Sequence, residues 1–177
     1  MKVAIIGTGR MGKGFASALV PRHEVTLGSR DPARAGRAAA ATGAARGATY
    51  ADAAAGAEVV ILTVPWDAIE DTLDQLGELD RTVVVDVSFP YQKSQREALA
   101  KKGSSTAEHI QRRLPRARVV KGWNHVHARH LTAPEVAGGL DAVRAPRSAA
   151  GPVAAVIAPP AASKGAGPCR TNPRSVP

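Results

Sequence analysis

Gly7-Thr8-Gly9-Arg10-Met11-Gly12 has the spacing G-x-G-x-x-G, directly after a short apolar run and directly before a helical pattern. That context gives each glycine a job: Gly7 makes the tight turn, Gly9 lets backbone approach a pyrophosphate, and Gly12 lets helix pack on strand. Free N–H groups at the helix start then face the anion. About twenty residues on, Gly28-Ser29-Arg30 ends the next apolar run. A site for NAD normally carries Asp or Glu here to accept bonds from the ribose hydroxyls, whereas a hydroxyl at Ser29 and a guanidinium at Arg30 suit a 2′-phosphate. The reading is NADP rather than NAD. Asp31 falls one residue too late for the ribose and reads as a turn or helix-cap residue. Arg34, one turn into the following helix, is either a second cation for the phosphate or a solvated arginine.

Three further segments bring polar and aromatic side chains to strand ends. They are Thr63-Val64-Pro65-Trp66, Asp86-Val87-Ser88-Phe89-Pro90-Tyr91, and Lys121-Gly122-Trp123-Asn124-His125-Val126-His127. In an open α/β sheet the carboxyl ends of the strands border the ligand, so these three loops should converge there. Trp66 either borders the cofactor or caps the core. The histidines at 125, 127 and 130 do not read as a metal site, because no carboxylate stands at ligand spacing beside them. No serine sits in a G-x-S-x-G elbow, which removes a Ser/His/Asp hydrolase. No catalytic acid/base residue is assigned.

The elements that must carry these residues follow from apolar periodicity. Residues 2–7, 24–27, 58–64, 82–87 and 118–121 read as strands, and residues 11–20, 32–42 and 67–76 as helices. Ser105-Thr106-Ala107-Glu108 has capping-box spacing and opens a helix ending near Leu114. Residues 45–47 and 50–55 lead into the third clear strand, and Phe89-Pro90-Tyr91 lies in a loop. Strands separated by single helices need crossover connections, so the class is α/β, a doubly wound, mostly parallel sheet covered on both faces.

Composition narrows the partners. The 177 residues are 44% hydrophobic, 22% charged and only 3% aromatic, with a net charge of +9. Residues 141–177 hold seven of the 13 prolines and about +4 of that charge, leaving a body, residues 1–140, at about +5. A mildly basic body with scattered cations suits an anionic small molecule, while nucleic acid wants a clustered stripe with stacking aromatics. The Ala/Pro/Arg-rich segment 141–177 buries too little to offset its ordering entropy and is expected to be disordered. No apolar run approaches the ~20 residues of a membrane span. Met1-Lys2 leads into too short an apolar stretch for a signal peptide, which makes the expected location cytoplasmic. The single cysteine, Cys169, leaves no material for a disulfide framework.

Taken in order, Gly7 to Gly14, Gly28-Ser29-Arg30, Thr63 to Trp66, and residues 105–124 with Leu114-Pro115 and Val119-Val120-Lys121 resemble the NADP oxidoreductase family that works with the deazaflavin coenzyme F420. The resemblance spans roughly residues 1–140 and implies a Rossmann NADP-binding fold. It implies reversible hydride transfer between NADPH and the deazaflavin as co-substrate, with Thr8 to Met11 at the pyrophosphate and Ser29, Arg30 and Arg34 at the 2′-phosphate. Val64, Pro65 and Trp66 would lie beside the nicotinamide and Ala128 would approach it, Thr63 and Asn124 would also bind the cofactor, and a homodimer is an allowed assembly. His125-Val126-His127 stands where the family commonly has Thr. Near Asp141 to Ala145 the family pattern gives way to the Ala/Pro/Arg-rich sequence, the kind of break a shifted reading frame produces. Two other functions stay open: an NADPH-dependent reductase of another acceptor, ferric or small carbonyl, and a truncated NADP-binding module without turnover.

Overall fold

The computed structural model describes residues 1–132. Strands β1 (Lys2–Ile6), β2 (Glu24–Gly28), β3 (Arg46–Ala48), β4 (Val59–Leu62), β5 (Val83–Asp86) and β6 (Arg118–Lys121) form one sheet in the order β3-β2-β1-β4-β5-β6. Every pairing is parallel. The connections are helices: α1 (Arg10–Leu19), α2 (Pro32–Thr42), α3 (Tyr50–Ala54), α4 (Ile69–Leu76), α5 (Lys93–Lys101) and α6 (Thr106–Arg113). A short helix α7 (Ala128–Thr132) follows β6. The order reverses between β1 and β4, which opens a crevice at their carboxyl ends.

Strand side chains alternate between faces, and the buried runs divide accordingly. Val3, Ile5, Val25, Leu27, Val59, Ile61, Val83 and Val85 join Phe15, Ala16 and Leu19 of α1 in one apolar cluster. Ala4, Ile6, Val60, Leu62 and Val84 join Ile69, Leu73, Leu76 and Ile110 of α4 and α6 in the other. Both faces are therefore covered, which explains why the strands read as continuous apolar runs. The doubly wound α/β expectation is met. Asp31 caps α2 through a bond from the Ala33 N–H at 2.9 Å, and Ser105 and Glu108 form the expected capping box on α6.

Two elements escaped the periodicity. Helix α5 buries no side chain, so it presents no apolar stripe to find; its Lys, Gln, Arg, Glu, Ala and Leu are good helix formers, and Gln95 Oε1 accepts from the Gln92 N–H at 3.3 Å. Helix α7, five residues of which are described, includes His130. Residues 50–54 are helical, and residues 46–48 form the edge strand β3. Residues 66–68 form a 3-10 turn ahead of α4, so that helix starts at Ile69 rather than 67. The expectation for residues 141–177 lies outside the described residues. Among the described residues no helix is long and apolar enough to cross a membrane.

Candidate functional site

The turn after β1 is built by contacts that leave room for nothing larger than glycine at two places. Gly7 has φ +117°, and a Cβ on Gly12 would stand 1.9 Å from the Gly7 carbonyl oxygen. The Gly7 N–H donates to Gly28 O at 3.0 Å, tying the turn to the end of β2. Thr63 fastens it from β4: its hydroxyl donates to Ile6 O at 2.9 Å and Gly7 O at 3.3 Å. Gly9 differs, because no atom lies within 4 Å of where its Cβ would be. It is also the N-cap of α1, and neither a side-chain cap nor an acidic residue occupies the first turn. The unpaired N–H groups of that turn and the open space over Gly9 fit a pyrophosphate.

At the end of β2 the polar residues divide their work. Ser29 is buried, its N–H donates to Ala48 O at 3.0 Å, and its hydroxyl accepts from the Asp31 N–H at 3.3 Å. The Asp31 carboxylate is committed to α2, capping Ala33 and standing 3.9 Å from Arg37. Arg30 and Arg34 are exposed. Neither has an ion pair or side-chain hydrogen bond among the described residues, so two guanidiniums remain for an anion. The residue set fits a 2′-phosphate better than a free ribose hydroxyl pair.

Beyond β4, Val64 is buried in the cluster under α3, α4 and α6, and Pro65 starts the 3-10 turn. Trp66 packs on that cluster and meets the His109 ring edge-on at 5.5 Å. The ring is half-buried and held against α6. His109 in turn bonds Glu70, which also pairs with Arg113.

Of the three loops expected to converge, those after β5 and β6 meet. Phe89 and His125 bring their rings to 6.0 Å, and Lys121 Nζ donates to Ser88 O. Arg96 donates to Pro90 O at 2.9 Å and to Tyr91 O at 2.6 Å, holding the first loop. Trp123 is buried edge-on against Phe15 of α1 at 6.0 Å. Asn124 is half-buried between these rings in the chain. Ala128, at the start of α7, packs against α1: its carbonyl oxygen lies 3.1 Å from the Cβ position of Gly14. Among the described residues no three His, Cys, Asp or Glu side chains group closely enough to hold a metal. A depression of about 330 Å³ lined by Ala54, Gly56, Leu79, Asp80 and Thr82 opens at the amino ends of β4 and β5, opposite the crevice.

Sequence reasoning missed the side chains that join those last two strands. Asp86 accepts from Ser88 N at 2.8 Å, Ser88 Oγ at 2.6 Å, Thr106 Oγ1 at 2.6 Å and Lys121 Nζ at 2.8 Å. The available signal was a pair of opposite charges closing two successive strands, Val-Val-Val-Asp and Arg-Val-Val-Lys.

Comparison with known proteins agrees with this geometry. The profile of the family described as NADP oxidoreductase coenzyme F420-dependent matches residues 2–90, from β1 through the loop after β5. The chain is 41% identical over 101 residues to the F420-dependent NADP reductase of Methanothermobacter thermautotrophicus, covering 51% of this chain and 44% of that protein. A crystal structure from Arthrobacter sp. FB24, provisionally assigned as an F420-dependent NADP-reductase, superposes with a TM-score of 0.62 at 29% identity, over 73% of this chain and 65% of that one. The Streptomyces aurantiacus imine reductase superposes with a TM-score of 0.51 at 29% identity, over 68% of this chain and 40% of that one. The chain spans less than half the length of the Methanothermobacter relative. Matched over half of its own length, from β1 to the β5 loop, it belongs to the coenzyme F420-dependent NADP oxidoreductase family.

Proposed function

We propose that this protein transfers a hydride between NADPH and the deazaflavin coenzyme F420. The observation that carries the donor half is the end of β2, where Arg30 is free and exposed while Asp31, the nearest carboxylate, is occupied in capping α2. The acceptor half rests on family membership and on the activity named for the Methanothermobacter relative.

When bound, NADPH supplies the hydride. The residues of this chain bind and orient. Thr8 to Met11 present uncapped N–H groups to the pyrophosphate, with Gly9 leaving the backbone bare for close approach. Ser29, Arg30 and Arg34 take the 2′-phosphate, and Thr63 locks the glycine turn in position. Val64, Pro65, Asn124 and Ala128 border the nicotinamide half in this reading, with Trp66 bracing the turn from α6. Two electrons pass with the hydride from NADPH to the deazaflavin, and one solvent proton balances the reduction. Proximity and ring alignment lower the barrier, so no acid/base pair is needed to break a bond. The same reading includes a cytoplasmic enzyme, small-molecule partners and a homodimer.

Stopped-flow mixing of the full chain with NADPH and oxidised F420, following the deazaflavin absorbance, tests this. Loss of the absorbance in step with NADPH oxidation is the expected result. NADPH binding with no change in absorbance overturns the acceptor. His125 and His127 at the acceptor edge, together with the likeness to an imine reductase, then direct the search to imine, carbonyl or ferric acceptors. Binding with no oxidation by any of them leaves an NADP-binding module.

A further inference from the structure

The Asp86 carboxylate is completely buried, and its partner Lys121 keeps 31% of its side chain exposed. They are the last residues of β5 and β6 and stand opposite each other in the strand register. Taking two charges from water is expensive, and an apolar pair of the same volume would hold two strands equally well. Val84, Val85, Val119 and Val120 hold these strands elsewhere in that way. The ion pair stands at the carboxyl edge, whereas the exposed Arg118 at the amino edge faces Val83, and the bonds of the pair reach out of the sheet: Asp86 also takes the Ser88 N–H, the Ser88 hydroxyl and the Thr106 hydroxyl at the start of α6. Lys121 Nζ bonds the Ser88 carbonyl, and the Gly122 N–H donates to Asp86 O at 3.1 Å. Apart from the bond from Thr106, which ties in the start of α6, each bond outside the pair fixes the first residue or two of a loop. Two residues beyond Lys121 the chain turns at Trp123, whose φ of 54° is left-handed and rare for a large side chain. Such strain persists only where the surroundings over-determine it.

We infer that Lys121 and Asp86 are positioning residues that hold the loops 87–92 and 122–127 in mutual register. These loops carry Phe89, Asn124 and His125 at the end of the crevice where the hydride acceptor must align. This rests on the proposed hydride transfer for its kinetic readout but not for its structural one. Lys121→Gln removes the charge and replaces three donors with two on a shorter side chain, which weakens the bonds to Asp86 and Ser88 O. NADPH affinity, set mainly by the phosphate contacts at the ends of β1 and β2, stays within about twofold, while single-turnover hydride transfer at saturating NADPH falls about tenfold to a hundredfold, the scale of a misplacement near 1 Å. Lys121→Arg, which keeps charge and donors, recovers most of the rate. Amide exchange accelerates about tenfold in 87–92 and 122–127 and is unchanged in 2–13. This exchange measurement decides the matter even if F420 proves not to be the acceptor.

A neutral pair, Asp86→Asn with Lys121→Gln, leaves no uncompensated charge and gives the same pattern. Unchanged loop exchange, transfer retained within twofold, or a parallel loss of NADPH affinity overturns the assignment. Failure of both variants to fold also overturns it, because the pair is then a stability element.

Discussion

Removing the Arg30 guanidinium separates binding of the 2′-phosphate from everything else the turn does. The side chain is exposed and has no ion pair or hydrogen bond among the described residues, so Arg30→Ala gives up no interaction of the folded chain and leaves Tm within about 1 °C. What it gives up is a charge-assisted contact, worth about 1.5–3 kcal/mol when fully formed. The site is open to solvent and the Debye length is about 8 Å at physiological salt, which favours the lower half of that range. NADPH should bind about ten to thirtyfold more weakly, at ~1.4 kcal/mol per decade. NADH lacks the phosphate and should bind within about twofold of the parent. Titrating both dinucleotides at two salt concentrations adds a second check, since the parent's preference for NADPH shrinks as salt rises and the variant's stays nearly flat. Arg34 lies on the first turn of α2 and can take over part of the load, so Arg30→Ala with Arg34→Ala should abolish the residual preference. Equal weakening of NADPH and NADH, or no weakening of either in the double variant, refutes the assignment of this end of β2.

Gly12→Ala forces a Cβ to 1.9 Å from Gly7 O and 3.0 Å from Thr63 Oγ1; the turn must open, lowering stability by about 1–3 kcal/mol in thermal unfolding and abolishing detectable dinucleotide binding. Thr63→Val keeps the volume but loses bonds to Ile6 O and Gly7 O, which costs about 1 kcal/mol in denaturant unfolding and weakens NADPH and NADH equally. Glu108 is held below its usual value of 4.5 by the Ser105 N–H first, then the Ser105 hydroxyl, with Arg112 assisting against slight desolvation. Because the folded value is the lower one, its contribution is complete above the unfolded value and disappears as pH falls through the folded value. Amide protection at the start of α6 should therefore decline in acid, and Glu108→Gln, which can still close a capping box, should remove that pH dependence.

The parts of the molecule readable from sequence are those whose causes are local. Strands β1, β4 and β5 are apolar runs because both faces are covered, and α1 and α2 are marked by the glycine turn at one end and Asp31 with Pro32 at the other. Arg30 could be found by counting, since it must follow the second strand of a βαβ unit. Helix α5 was invisible because nothing in it is buried; its residues choose a helix by propensity alone, and periodicity measures burial. Trp66 could not be placed because its neighbour, His109, is brought by α6 through the packing of three elements. The Asp86 to Lys121 bond joins residues 35 apart, and only the register of β5 on β6 makes them opposite.

That division between local and long-range causes follows the chemistry. Everything assigned to the two phosphate groups of the dinucleotide lies within one βαβ stretch and the turn that follows it, where turn geometry, an uncapped helix and a free guanidinium are set by neighbours in sequence. Everything assigned to the acceptor edge depends on β4, β5, β6 and the segment returning to α1, and so on tertiary register. Donor affinity and hydride transfer should therefore separate under mutation: changes at Arg30 move the dissociation constant of NADPH, and changes at Lys121 move the transfer rate. A variant set in which the two quantities always moved together would mean that the crevice is one cooperative unit, and that the donor and acceptor halves are not held by separate parts of the sheet.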